Sequence, residues 1–257
     1  MAELESVTHA IAAVDGRSPA VIDAHVVRLR AAGLVGTKAA TPRDAANIMI
    51  GINAGVAIDG IAETTATFRS LTPRLVSTLD SERFVPDSVN DAHDLGEVIE
   101  ALIADAPALE RSFREFVAAQ MAEDPAAVLG SVGILDLGKC IALHVQLHSG
   151  GPHRTAGALR VDTFMARLDP FRRRKAVREK LFEMAFVPLP HGDTDELGID
   201  REVSVVLGLR TFLAVHEALF GARDRNQTSE RHVPRYDQPR SVQNVVALAT
   251  RRNIDGA

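Results

Sequence analysis

Apolar residues recur at helical spacing through the first third of the chain. Leu4, Val7, Ile11 and Val14 line one face of a helix that ends at Asp15-Gly16. Ser18 then caps a second helix with Pro19 at its first position, where a missing N–H costs nothing, and Ile22, Val26, Leu29 and Leu34 form its inner face. Thr41-Pro42-Arg43-Asp44 opens a third helix that runs to about Ala54: a threonine cap, a proline in the first turn and an acid at the positive end of the helix dipole. A shorter helix follows around Ala62 to Leu71.

Pro73, Pro86 and the charged residues between them read as a linker. Two more amphipathic helices are predicted over Asp94 to Asp105 and Ala108 to Ala122. Beyond Pro125 the texture changes to β-branched, alternating runs. Ser131 to Leu137, Ile141 to Leu147, Ala158 to Leu168, Ala185 to Leu189 and Glu202 to Leu207 are strand candidates, with a basic helix from Pro170 to Met184 and a last helix from Arg210 to Phe220. The remainder, with Pro234, Tyr236 and Pro239, reads as a basic, loosely packed arm. No fixed-period repeat occurs. The fold class expected is α+β, with a helical domain at 1–72, a linker at 73–93 and a mixed domain at 94–257 that serves oligomerisation or partner binding.

With 257 residues, 46% of them hydrophobic, the chain has enough apolar surface for a substantial core. A lone cysteine, Cys140, rules out an internal disulfide framework and fits a reducing compartment. The N-terminus lacks the basic flank and apolar run of a signal peptide, and no apolar stretch reaches the length of a membrane span, so a cytoplasmic protein without a membrane partner is expected. The net charge of −5 is unevenly spread. Twelve acids face three arginines between Asp80 and Asp124, whereas eight basic residues face three acids between Arg160 and Lys180. The basic segment reads either as a nucleic-acid contact or as a surface paired with the acidic block.

The segment Ser18 to Val35, SPAVIDAHVVRLRAAGLV, resembles the recognition half of bacterial helix-turn-helix and winged-helix regulators. In these a helix opens with Ser-Pro-Ala and closes with Arg-Leu-Arg-Ala-Ala-Gly-Leu-Val, and Ala10 to Gly16 would be the supporting helix and turn. The resemblance covers about a tenth of the chain. It implies binding to double-stranded DNA, with Pro19, Ala20, Asp23 and Ala24 facing the groove and Arg17, Ser18, Arg28 and Lys38 available to phosphates. Such readers are commonly homo-oligomers, and the implied role is transcriptional regulation. Two departures stand out. Asp23 and Ala24 occupy positions where basic or amide side chains are usual, and the five residues Gly36 to Ala40 leave no room for a clear wing. The combination with the Thr-Pro-Arg-Asp-Ala-Ala helix is also similar to prophage proteins, which implies an oligomeric assembly or genome-packaging role as the alternative.

Enzyme chemistry has little to point to it. Cys140, His144, His148 and His153 form C-x3-H-x3-H-x4-H, the one spacing that suggests zinc, and with it a metal-dependent enzyme. On a strand, however, residues four apart are about 13 Å apart, which favours a half-buried strand over a metal site. His191 to Glu196 reads as a solvated acidic turn. No phosphate loop, dinucleotide fingerprint or G-x-S-x-G elbow occurs, so neither a cofactor nor a catalytic set is expected.

Overall fold

A computed structural model describes residues 2–54, 58–78, 85–123, 140–149, 155–168, 174–187 and 203–221. The candidate strand at 131–137, His153, the turn at 191–196 and the basic arm lie outside these residues. The described residues are mixed α+β, with eight α-helices and a five-stranded sheet. No helix among them is long and apolar enough to cross a membrane.

The N-terminal helices follow the apolar spacing. Helix α1 (Leu4–Asp15) buries Leu4, Val7 and Ile11 and stops at Gly16, whose φ of 75° suits glycine and whose N–H donates to the Ala12 carbonyl at 2.9 Å. Helix α2 (Pro19–Ala31) buries Ile22, Val26 and Leu29. Its end is a Schellman closure: Gly33 takes φ 73°, the Leu34 N–H donates to Leu29 and the Gly33 N–H to Arg30, both at 2.9 Å. Ser18 has the extended backbone of a cap, but its side chain makes no capping hydrogen bond.

Helix α3 (Pro42–Asn53) is buried from Asp44 to Asn53, all round its circumference, and forms the axis of the helical layer. Its Thr41/Asp44 pair is a reciprocal capping box. Helices α2, α4 (Ile61–Arg69) and α6 (Leu95–Ala104) pack around it, while α5 (Asp87–Asn90) packs on α6. Asn47 carries the layer's polar link. Its amide donates to the Leu34 carbonyl at 2.5 Å and accepts from Arg69 at 2.9 Å, and Arg69 also pairs with Glu100 of α6. Gly96 lets Arg69 cross α6, since a Cβ there would collide with the arginine side chain.

Helix α7 (Ala106–Glu123) and helix α8 (Leu209–Phe220) complete the layer, with α8 packed on α1, α6 and α7. His216, 1% exposed, fixes α8 through Nδ1 to the Ile103 carbonyl at 3.0 Å. The first and last described helices thus share one hydrophobic cluster that also contains the inner face of the sheet. Within the stretch expected as a linker, Thr72–Thr78 form strand β1, and the Thr72 hydroxyl donates to the Val187 carbonyl at 3.2 Å.

The sheet is antiparallel, in the order β1-β4-β3-β2-β5. Strands β2 (Ile141–Ser149), β3 (Thr155–Leu168) and β5 (Val203–Gly208) fall on predicted runs. Strand β4 (Arg174–Val187) does not, because the basic helix expected from Pro170 to Met184 is a strand from Arg174 onward and continuous with the short run at 185–189. A bulge explains the difference. Val161 pairs with Phe182 but Asp162 pairs with Lys180, so Leu181 is an extra residue on β4. The side-chain alternation therefore reverses at Leu181. Phe182, Met184 and Phe186 point into the core while Arg178 and Lys180, at the same sequence parity, lie on the opposite face, and no two-residue period survives in the sequence.

Candidate functional site

The residues expected to meet DNA are brought together on α2 and its flanks. Arg17 and Ser18 precede the helix, Ala20, Asp23, Ala24 and Arg28 are on it, and Lys38 lies in the connection to α3. Ser18, Ala20, Asp23, Ala24, Arg28 and Lys38 are exposed, whereas Arg17 is half-buried. Arg17 faces inward: it donates to the Ile52 carbonyl at the end of α3 and pairs with Asp15 at 3.0 Å. This ties down the turn between α1 and α2 and leaves Arg28, Arg30, Lys38 and Arg43 as the outward cations. Arg28 sits 3.1 Å from Asp59, but both side chains are largely exposed, so the pair is weak and leaves the guanidinium accessible.

The side of α2 opposite Ile22, Val26 and Leu29 carries Ala20, Val21, Ala24, Val27, Arg28 and Ala31. Val21 and Val27 are 44% and 63% exposed, two of only four large hydrophobic side chains so placed among the described residues.

A second constellation lies on the sheet face turned away from the core. Register places His144 of β2, Arg160 and Asp162 of β3, and Arg178, Lys180 and Glu183 of β4 side by side. Arg178 Nη2 donates to Asp162 Oδ2 at 2.5 Å, Arg160 Nε donates to Glu183 Oε1 at 2.6 Å, and Lys180 Nζ donates to Glu183 Oε2. His144 Nε2 is 3.8 Å from Asp162 Oδ2, beyond hydrogen-bond range. Burial pushes the His144 imidazole below its usual value; Asp162 pulls it up, and Arg178 and Arg160 push it down again. Burial alone would raise the Glu183 carboxyl, but hydrogen bonds from Lys180 and Arg160, with their charges, hold it below the usual range. Sequence reasoning missed this grouping because a helical reading of 170–184 cannot align Arg178 and Lys180 with Asp162.

Cys140 is buried at the start of β2, and His144 and His148 follow on one strand at the long four-residue spacing. Among the described residues, no three of His, Cys, Asp and Glu converge as a metal site would require. A scan of protein-family models finds no match to this chain, and no curated protein or solved structure matches it.

Proposed function

We propose that this is a sequence-specific DNA-binding protein in which α2 enters the major groove, acting as a transcriptional regulator. The observation that carries this reading is the exposure of Ser18 and of Ala20, Asp23 and Ala24 on α2 while Ile22, Val26 and Leu29 anchor the helix in the core, with Arg28, Arg30, Lys38 and Arg43 around it. A helix about 10–12 Å across fits a groove about 12 Å wide. The left-handed turn at Gly16 and the short side chains of Ala20 and Ala24 support close approach of the helix to base edges. Asp23 is repelled by phosphate but can accept from a cytosine amino group, so it favours C·G at one position of the site. Arg28 and Lys38 supply the phosphate contacts, and Arg17 acts as a brace. The test is titration of the full chain into duplex DNA at several salt concentrations, where binding must weaken as salt rises.

The exposed Val21 and Val27 favour a second reading, an oligomeric assembly or packaging protein whose α2 docks on protein. The two readings separate on the mass of the particle in solution and on whether Val27→Asp abolishes assembly or DNA binding.

A further inference from the structure

The polar face of the sheet holds charged groups that the α2 reading does not use. Asp162 and Glu183 form its floor at 2% and 7% exposure, and buried carboxylates require cationic partners. Those partners are rim residues: the side chains of Arg160, Arg178 and Lys180 are 34%, 55% and 44% exposed. Each cation is therefore held from below by a buried acid and presents its outer side to solvent. The four residues Arg160, Asp162, Arg178 and Lys180 line an open hollow of about 280 Å³.

The donor set decides which ligand fits. Both Glu183 oxygens are occupied by Arg160 and Lys180, and Asp162 is covered by Arg178, so the rim offers N–H donors rather than carboxylate ligands for a cation. Three positive side chains against two negative ones leave an excess positive charge. The Arg178 guanidinium carbon sits 5.8 Å above the Phe164 ring centroid, which helps to set the orientation of its fork. Two planar guanidinium forks and an ammonium group match the tetrahedral oxygens of a phosphate.

We propose that this hollow binds a phosphate group through Arg160, Arg178 and Lys180, with Asp162 and Glu183 as positioning residues. The group belongs either to a small phosphorylated molecule or to a nucleic-acid backbone. The site is on the sheet and stands independently of the role of α2.

Inorganic phosphate titrated into the isotope-labelled full chain tests this by NMR. Saturable shifts are expected in the amides of residues 160–164 and 178–183 and in the arginine side chains. Lys180→Gln should weaken binding about tenfold, the effect of one charge-assisted hydrogen bond. Arg178→Gln combined with Asp162→Asn removes an ion pair without orphaning a buried charge, and should weaken binding similarly while the remaining spectrum stays folded. Duplex DNA is then added to the phosphate complex of the Arg28→Ala/Lys38→Ala variant. Displacement of phosphate assigns the group to a nucleic-acid backbone, and its retention assigns it to a small molecule, each consistent with the site. Absence of saturable shifts, or an affinity in both sheet variants unchanged from that of the unaltered chain, would overturn it.

Discussion

The Asp44 carboxylate accepts from the Gly36 and Thr41 backbone N–H groups at 2.7 and 2.9 Å and from the Thr41 hydroxyl at 2.6 Å, while its own N–H donates to that hydroxyl. An ordinary cap satisfies one donor; this one also fastens the connection after α2. Asp44→Ala should therefore cost about 2–3 kcal/mol, above a simple cap, because several donors lose their partner. Urea unfolding would show it. At His144 the effect depends on pH. The folded-state value lies below the ordinary one, so the unfolded chain takes up the proton first. Stability from this residue is complete above about pH 6.5 and falls as pH drops from there through the folded-state value. His144→Gln should reduce the loss of stability between pH 7.5 and 5.5; an unchanged loss would contradict the account. The Thr41 start signal was legible from Thr-Pro-Arg-Asp alone. The links from Asp44 to Gly36 and from Asn47 to Leu34 and Arg69 were not, since a polar residue inside an apolar helix does not reveal its distant partner.

At the scale of elements, the local sequence describes helices better than it describes β4. Helices α1 to α3 carry regular apolar spacing, with glycine stops after α1 and α2 and a capping box on α3, and each lies close to its predicted bounds. Strand β4 carries five basic or acidic residues in its first seven positions before the bulge, and only pairing with β3 shows why they are tolerated there. Helix α2 carries the proposed DNA contact. Its outer side is small and apolar at Ala20, Ala24, Val27 and Ala31, which permits close approach, while its cations lie at the margins. On the DNA reading, Val27→Asp should weaken duplex binding about tenfold or more by placing an anion near phosphate, without altering the particle mass. A fall in mass with DNA binding retained would instead favour the assembly reading.

Across the whole molecule, one hydrophobic cluster links the helices at the start of the chain to α8 and to the sheet. Turn-forming and charged residues suggest a division at 73–93; contacts between elements some two hundred positions apart, such as α1 with α8, leave no local pattern to read. Phe212, fully buried in α8, tests how far this continuity extends. Phe212→Ala should cost about 3–5 kcal/mol through the cavity it leaves, and the loss should appear in amide-exchange protection of α1 as well as α8. Protection of α1 unchanged by the substitution would show that α1 is stabilised without α8.

Whether α2 and its flanking cations bind DNA is decided by the salt dependence of duplex binding by the full chain. The logarithm of affinity should fall linearly with the logarithm of salt concentration, by about 0.9 for each phosphate contacted. Arg28→Ala/Lys38→Ala should reduce that slope by about 2, while Arg114→Ala on α7, away from α2, leaves it unchanged. No binding at low salt, or a slope that the double substitution does not alter, would contradict the account.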